Sequence, residues 1–548
     1  MSHDSAIGTF TPLRERTFRY IWIGTTFTHA GGLIQGVGAA WLMSSMAGAD
    51  MVALVQTATF LPMALLALPA GAVADVYDRR NVQLVCFAFS MLAAVLLSTA
   101  AWFGLLTPWL LLGFCFLTGT GAALAAPARG ASVAEQVPTP MIPQAVALNN
   151  ISYNVARSIG PALGGLMVAI YGATSAFMLN AIGYLPVLAS LRSWKRMPEE
   201  SRLPPEGLMR SINAGLNYIA NMQPVRRAVI RAFVTSSLIA VVHSLLPLIA
   251  RDLLKLDATA YGAMLGVYGV GAVCGIFVLQ RMRAAFGSER SLRINCLVIA
   301  SCLVVMAFSR LLWLDLLALF LAGCATMVCT TTISITVQLF VPRWVMGRAI
   351  ATSSASMSLG IAGGSWLWGS VATQYGLVNA LLCGAALLVG SVALGWIIPV
   401  ADRTHSAETD TRDLGDPDVQ LGINGRSGPI SIELRYRIPS DRARDFYNIM
   451  REVQKTRRRT GAYDWSITRN IGDPELWSER FRCPTWDDYL RLRSRRTLED
   501  ANIFQRARDM HIGLEPVQVL RWLDRPFGSV RWRDDTPDRG DDTLRLES

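Results

Sequence analysis

Long apolar segments alternate with short polar breaks over the first 400 of the 548 residues of this chain. Each segment holds about 20 residues, which is enough for one helix to cross the hydrocarbon core of a bilayer. The pattern therefore predicts an all-α membrane region of twelve transmembrane helices. The segments lie near residues 18–43, 52–76, 82–106, 108–133, 145–171, 174–192, 228–250, 259–282, 292–310, 313–338, 346–373 and 377–400.

A long polar loop that contains Pro198, Pro204 and Pro205 follows the sixth segment and divides the set into six plus six. The two halves are related by an internal repeat at a constant offset of 204 residues, which places Val137–Pro138 on Val341–Pro342 and Tyr171–Gly172 on Tyr375–Gly376. Secondary transporters build a central site between two such halves. We therefore expect an N-terminal bundle at 1–192, a central cytoplasmic loop at 193–227 and a C-terminal bundle at 228–400.

The chain changes character after residue 400. A polar stretch at 401–428 is typical of a linker, a globular domain is predicted at 429–526, and the charged tail at 527–548 is expected to be disordered. Ile430–Ile438 alternates apolar and polar residues with a period of two, as a half-buried strand does. Capping and turn signals further along give the order βαββααβ, which favours an α+β ferredoxin-like sandwich in the cytoplasm.

Composition and charge support a membrane protein and argue against nucleic-acid binding. The chain is 52% hydrophobic and 17% charged. All of its net charge of +11 belongs to residues 1–400, with 24 basic and 13 acidic residues, because residues 401–548 hold 27 of each. The basic residues concentrate in the breaks on one side, and only Arg251, Lys255 and Arg310 lie opposite. The positive-inside rule then places both termini in the cytoplasm. No metal site or cofactor is expected.

One polar break combines several charges at a membrane edge. The residues at the end of the second segment and in the break after it are Gly71, Asp75, Asp78, Arg79 and Arg80. An unpaired carboxylate so close to hydrocarbon is unfavourable. Either Asp75 is stabilised by Arg129 and the start of the eleventh segment, or it is a solvated loop acid beside two cations that only set topology.

Few polar residues lie inside the predicted spans. Arg157, near the middle of the fifth segment, either forms a buried structural pair or binds an anionic group of a substrate, with Asn154 one turn away. His29 and His243 are candidate proton carriers, although a lone membrane histidine also serves as a hydrogen bond between helices. Candidates for the polar wall of a central cavity are Gln35, Gln56, Asn180 and Gln338.

Two motifs carry a resemblance to a known family. The break from Gly71 to Arg80 resembles the loop motif between helices two and three of the major facilitator superfamily. Proline inside a helix removes a hydrogen-bond donor, and small residues permit close helix packing. The residues with these properties in the fifth segment are Gly160, Pro161, Gly164 and Gly165, and they resemble the exporter motif of that superfamily.

Finer pieces, among them the run from Gln338 through Pro342 to Arg348, resemble the enterobactin-exporter-like, or transmembrane secretion effector, branch. This resemblance implies proton-coupled export of a small organic solute, such as a siderophore or drug-like compound, through alternating access. Import of a nutrient, or a C-terminal domain that is a ligand sensor or enzyme, are the alternatives. That domain resembles antibiotic-biosynthesis monooxygenase-like modules, which implies a homodimer. Gating residues implied by the superfamily are Asp75, Asp78, Arg79, Arg80, Arg129, Gly347 and Arg348.

Overall fold

The computed structural model describes residues 10–194, 208–342, 345–401, 417, 419–494 and 496–524, so the predicted tail and most of the predicted linker lie outside the described residues. The chain divides into two compact units. The first comprises Met1–Leu208, Arg227–Val337 and Ile350–Asp402. The second comprises Met209–Arg226, Gln338–Ala349 and Arg403–Ser548.

Helices form at all twelve predicted membrane segments. The sixth is broken at Tyr184, whereas the eighth and ninth are joined into one helix that bends at Gly287, where φ is 75°. Ranges of these helices are α1 (Arg16–Met46), α2 (Ala49–Val76), α3 (Arg79–Trp102), α4 (Pro108–Ser132), α5 (Ile142–Tyr171), α6 (Ala173–Gly183), α7 (Leu185–Ser193), α8 (Leu208–Asn221, between the halves), α9 (Gln223–Leu248), α10 (Ala258–Phe308), α11 (Leu312–Phe340), α12 (Met346–Tyr375) and α13 (Leu377–Ile397).

Eight helical stretches among the described residues are long and apolar enough to cross a membrane by length and composition. They cover nine of the twelve predicted segments, because α10 contains two of them. The three helices outside this set are α1, α5 and α12, each at least 30 residues long. They have the length of a span but more polar and glycine positions, as expected of helices that face other helices or a cavity.

The predicted repeat is present in the folded chain. Both ends of α12 lie 204 residues after those of α5, and the glycines that follow the two helices, Gly172 and Gly376, have positive φ values of 77° and 87°. Ser152 on α5 hydrogen-bonds Thr26 on α1 at 2.7 Å, while its counterpart Ser356 on α12 donates to the carbonyl of Val229 on α9 at 2.8 Å. Equivalent serines therefore join equivalent helices in each half.

The two halves meet where α5 crosses the first part of α10. A Cβ atom at Gly165 would lie 2.6 Å from Cα of Gly262, and one at Gly269 would lie 2.5 Å from the carbonyl oxygen of Arg157. Only glycine permits such close backbone approach. The exporter-like motif thus has two faces, since Gly160 and Gly164 pack against Leu33 and Ile34 of α1 while Gly165 crosses to the other half.

A second contact between the halves joins the beginning of α2 to the end of α12. The backbone N–H of Asp50 donates to Thr373 at 3.0 Å, Thr57 donates to the carbonyl of Ala362 at 2.7 Å, and Gly369 packs on Ala53. These residues and Gly165 lie at the same end of the helices. At the opposite end of α2, nothing lies within 4 Å of a Cβ placed at Gly71.

The second unit contains an α+β domain, as predicted. Its strands are β1 (Ile430–Arg437), β2 (Tyr463–Arg469), β3 (Leu476–Cys483) and β4 (Gln518–Leu523), and its helices are α14 (Ala443–Arg459), α15 (Trp486–Ser494) and α16 (Leu498–Asp509). The antiparallel sheet has the order β2-β3-β1-β4. Its covered face presents Ile432, Leu434 and Tyr436 to Phe446 and Met450 of α14. The α8 helix also belongs to this unit; the sequence analysis missed it because the nearby prolines indicated a loop.

A leucine at Gly262 tests the contact between the halves. Its Cβ would lie 2.6 Å from Cα of Gly165 and 2.7 Å from the carbonyl oxygen of Pro161, so the two backbones must separate. We expect Gly262→Leu to lower the melting temperature of the purified protein, with a loss of about 1–3 kcal/mol typical of overpacking. Gly390→Leu is the control, because its Cβ position has no neighbour within 4 Å. Equal melting temperatures for both variants would contradict the close contact.

Candidate functional site

Polar and aromatic side chains gather around α5 at the boundary between the halves. The guanidinium carbon of Arg157 lies 5.5 Å from the ring centroid of Tyr268 on α10, and the ring of His243 on α9 meets the same tyrosine edge-on at 4.6 Å. One turn earlier on α5, Tyr153 contacts His29 of α1 edge-on at 5.3 Å. The structure therefore brings three predicted candidates, His29, Arg157 and His243, to one helix and its neighbours.

The charge of Arg157 is not balanced by an ion pair in the part of the chain that the structure describes. Its half-buried guanidinium instead faces the π-surface of a tyrosine. A ring face attracts a cation but leaves most of its hydrogen-bond donors available. Such an arrangement can hold an anion and pack an aromatic or aliphatic group beside it.

Tyr153 and Tyr268 were missed by the sequence analysis. Tyr153 precedes Arg157 by four residues, so helical spacing alone put both on one face of α5. Tyr268 gave no comparable signal, because its proximity depends on how α10 crosses α5. Aromatic residues are common in membrane helices, and only the tertiary contact distinguishes this one.

The four predicted wall residues lie in different surroundings. Gln35 and Asn180 are buried and bound to each other at 2.5 Å, and Gln35 also donates to Thr118 of α4 at 3.3 Å. This chain of bonds joins α1, α4 and α6, which is a packing arrangement. Gln56 is half-buried on α2, and Gln338 is exposed near the end of α11. Asn154 donates to the carbonyl of Asn150 within its own helix at 2.8 Å.

The charged turn between α2 and α3 is fixed by its neighbours. The carboxylate of Asp78 accepts from the backbone N–H of Asn81 and so caps α3. Arg79 binds Glu135 at 2.9 Å and the carbonyl of Ala131 at 3.2 Å. Arg80 donates to the carbonyl oxygens of residues 191 and 192 at the end of α7, at 2.7 and 2.8 Å. Both arginines therefore bind within their own half.

The remaining predicted gating residues are Asp75, Arg129, Gly347 and Arg348. The backbone of Asp75 lies in the last turn of α2, and its side chain lies outside the described residues. Arg129 is half-buried near the end of α4 and pairs with no carboxylate among the described side chains. In the second unit, the side chain of Arg348 packs against Gly215 of α8, where a Cβ would lie 2.8 Å from its Cδ. Gly347 has open space beside it.

A buried network of ion pairs joins helices of the C-terminal half. Glu289 binds Arg293 at 2.9 Å and Arg231 at 3.6 Å, and it accepts from the backbone N–H of Val400 at 2.8 Å. Arg231 also donates to the carbonyl of Ser391 and is 1% exposed. The sequence analysis counted this arginine among loop cations; the structure instead buries it on α9. A buried guanidinium with a matched carboxylate serves packing, since loss of either partner leaves an uncompensated charge.

Asp315 is an acidic residue of the membrane helices whose side chain is fully buried. It lies in the first turn of α11, where the helix dipole favours a negative charge. Neither carboxylate oxygen has a hydrogen-bond partner within bonding geometry. Burial at this position was not foreseen, because a hydropathy pattern places the residue at the edge of a span without showing what packs on it.

The C-terminal domain holds α8 through one arginine. Arg459, at the end of α14, contacts the carboxylate of Asp500, lies 5.7 Å from the ring centroid of Tyr218 and reaches the sulfur of Met222 at 3.1 Å. Burial raises the pKa of Tyr218, and the neighbouring guanidinium opposes that shift. Tyr218 is therefore neutral at physiological pH, and its ring acts as a cation-binding surface.

Comparison with solved structures shows which fold the chain has. The chain matches the nucleoside transporter NupG over 70% of its own length and 99% of that chain, with a TM-score of 0.57 at 12% identity. It matches an auto-inhibited POT family peptide transporter over 73% and 99%, with a TM-score of 0.59 at 10% identity. At these identities the likeness shows the fold, which is that of the major facilitator transporters.

A family model described as "Transmembrane secretion effector" matches residues 7–527, so the chain belongs to the transmembrane secretion effector family of the major facilitator superfamily. It is a membrane transporter and not an enzyme. The Staphyloferrin A transporter of Staphylococcus aureus is 24% identical over 280 residues, which cover 49% of this chain and 68% of that protein. The multidrug efflux pump Tap of Mycobacterium tuberculosis is 29% identical over 229 residues, covering 38% and 51%. The chain thus spans about half of Tap.

A double-mutant cycle tests the ion pair that fixes the α2–α3 turn. We expect Arg79→Gln and Glu135→Gln each to lower the free energy of unfolding, and the double variant to lose less than the sum, with a coupling of about 1 kcal/mol or less for a half-exposed pair. Arg80→Gln is the matched control, since Arg80 binds carbonyl oxygens and should show no coupling with Glu135. Strict additivity of the first pair in thermal unfolding would exclude the interaction.

Proposed function

We propose that this protein exports a small amphipathic organic anion from the bacterial cytoplasm, in exchange for protons, by alternating access. The observation that carries the proposal is Arg157, a cation at the contact between the halves that faces Tyr268 and has no ion pair with a described carboxylate. A charge within a membrane protein is stabilised by a partner, water or a ligand. A substrate anion supplies the missing negative charge, and the aromatic rings accommodate its apolar part.

The distribution of basic residues supports an orientation with both termini in the cytoplasm and the protein in the inner membrane. In that orientation the contacts of Gly165 with Gly262 and of Asp50 with Thr373 lie at the outer face. The open space beside Gly71 then lies on the cytoplasmic side.

Export is favoured over import by two independent observations. Gly160, Pro161, Gly164 and Gly165 form a packed motif between α1 and α10, of the type associated with exporters in this superfamily. One relative is named a multidrug efflux pump, which favours export, and another is named the Staphyloferrin A transporter. A nutrient importer is the alternative.

Gating is assigned to the charged turn between α2 and α3. Arg79 and Arg80 tie this turn to α4 and α7, so the end of α2 that carries Asp75 is held in place. We expect Asp75 to bind Arg129 when the cytoplasmic side closes, and we assign Gly347 and Arg348 to the same gate. Asp78 contributes by capping α3.

Proton coupling is assigned to His29, which contacts Tyr153 of α5, and to His243, which contacts Tyr268, the ring that Arg157 faces. Histidine gains and loses a proton near neutral pH. In an exchange cycle, a ring binds a proton from outside after the cargo has left and releases it to the cytoplasm before the next cargo binds. Asp315 is the competing carrier, since it is buried and both of its oxygens lack hydrogen bonds.

We also propose a homodimer that forms through the C-terminal domain. The open face of its sheet carries ion pairs of Arg435 and Arg480 with Glu433, and of Arg482 with Asp464. Burial raises the pKa of Glu433, but Arg435 and Arg480 outweigh it and leave that pKa lowered. A second copy on this face would have to pair with fixed charges.

The direction and charge of the cargo are tested by comparing metabolites in the medium and in extracts of cells that produce the protein. Wild type should enrich an organic anion in the medium, and Arg157→Gln should reduce that enrichment by about tenfold or more, as expected for loss of a charged hydrogen-bonding partner. Arg310→Gln is the control, because Arg310 is an exposed cation at a helix end. Depletion of a compound from the medium by wild type would establish import instead.

Coupling is tested with vesicles that transport the compound found in that comparison. His29→Ala combined with His243→Ala should remove the dependence of transport on pH. Asp315→Asn should keep it. The reverse pattern would move the proton site to Asp315, and pH dependence that survives in all variants would refute proton exchange at these residues.

A further inference from the structure

A cavity of about 130 Å³ lies in the C-terminal domain between the covered face of the sheet and the helices α14, α15 and α16. Leu434 and Tyr436 of β1 and Phe481 of β3 line the sheet side, and Phe504 of α16 lines the helix side. All four of these side chains are apolar or aromatic. The site is separate from the helices that carry Arg157, because it lies wholly within the second unit.

The volume limits what the cavity can hold. An engineered apolar cavity of about 150 Å³ is known to bind benzene, so a space of this size accepts one six-membered ring or a short aliphatic chain. It is too small for a nucleotide or a siderophore. Any ligand of this cavity is therefore smaller than the cargo proposed for the membrane helices.

Most of the charged side chains that line the cavity are positive. Five arginines and one carboxylate, that of Asp500, line the cavity, and the arginines are Arg457, Arg493, Arg496, Arg508 and Arg521. A core pocket with this excess of cations attracts a negative group.

Existing ion pairs neutralise part of this set. Arg457 binds Glu479 at 2.9 Å and stacks between Phe481 and Phe504, with 4.3 Å to each ring centroid. Burial lowers the pKa of Arg457, but the Glu479 carboxylate outweighs it and the net direction is upward. The Asp500 carboxylate is held by Arg459, which lies outside the cavity lining. Asp500 therefore presents a compensated charge to a ligand.

Two arginines keep uncompensated charge at the cavity. Neither Arg508 nor Arg521 makes an ion pair with a carboxylate among the described residues. Arg521 donates to the hydroxyl of Tyr489 at 2.9 Å, and the ring of Tyr489 lies between the guanidinium groups of Arg493 and Arg521, at 6.0 and 5.7 Å. Both Arg508 and Arg521 are exposed, so they line the outer part of the cavity while the apolar side chains form its interior.

We propose that this cavity binds a small amphipathic carboxylate, with one ring or a short chain against Leu434 and Phe481 and the carboxylate between Arg508 and Arg521. Guanidinium groups form two parallel hydrogen bonds to a carboxylate, which suits two arginines at the mouth of an apolar space. Phosphate alone would leave the apolar interior empty. This inference does not depend on the direction or the cargo of transport.

Benzoate is the probe, and the full-length protein in lipid nanodiscs is titrated with it by calorimetry. Wild type should bind benzoate, and the uncharged isostere benzamide should bind at least about tenfold more weakly, because a charge-assisted hydrogen bond is replaced. Arg508→Gln should weaken benzoate by a similar factor. Arg506→Gln is the matched control: it lies two residues away on α16, pairs with Glu452 and does not line the cavity.

A second variant tests the apolar part. Val519→Trp places a large ring in the cavity from β4, and it should abolish benzoate binding while a thermal melt reports whether the domain stays folded. The loss caused by Arg508→Gln must also appear in an Arg157→Gln background, which separates this site from the membrane helices. Absence of benzoate binding, equal binding of benzamide, or binding unaffected by Arg508→Gln would each overturn the proposal.

Discussion

The contact between α5 and α10 is the interaction on which the rest of the membrane region depends. Gly165 and Gly262 bring two backbones together without side chains between them, and Gly269 extends the contact to the level of Arg157. In a bilayer there is no hydrophobic force between helices, so close van der Waals packing of this kind holds them. The same crossing sets the distance from Arg157 to Tyr268, and hence the geometry of the candidate site.

The opposite face of α5 is equally constrained. Gly160 and Gly164 fit against α1, so α5 is packed on both sides and can present Tyr153 and Arg157 only along the remaining strip. Helix α1 places His29 on that strip, and the bond from Ser152 to Thr26 fixes the register of the two helices. Polar side chains thus enter the membrane region at positions where glycine packing has already fixed the backbone.

Much of the architecture was predictable from patterns that are visible in the sequence itself. Span length and the period-two strand of Ile430–Ile438 depend on adjacent residues, and the 204-residue repeat appears when two stretches of the sequence are compared. The corresponding helices and strands are present in the structure. The site was predictable only in part. His29, Arg157 and His243 stood out as polar residues in apolar segments, whereas Tyr268 owes its place to a helix crossing that no single segment encodes.

Other features could not be predicted from the sequence because they also depend on tertiary packing. Arg231 was counted among the cytoplasmic cations, and the structure pairs it with Glu289, 58 residues away. The burial of Asp315 depends on what packs over the start of α11. The cavity in the C-terminal domain requires five arginines from three helices, a strand and the connection between α15 and α16 to converge. Tertiary packing determines such sites, and alternation of polar and apolar residues records only which face of each element is covered.

Arg157 differs from the arginines whose ion pairs hold the fold together. Arg231, Arg457 and Arg459 each bind a carboxylate, Glu289, Glu479 and Asp500 respectively, and in each case the pair joins two elements of the fold. Such pairs offset the desolvation of both ions. Arg157 has a tyrosine ring in place of a carboxylate. A ring compensates a cation only weakly, which is why we propose that a substrate anion binds beside Arg157.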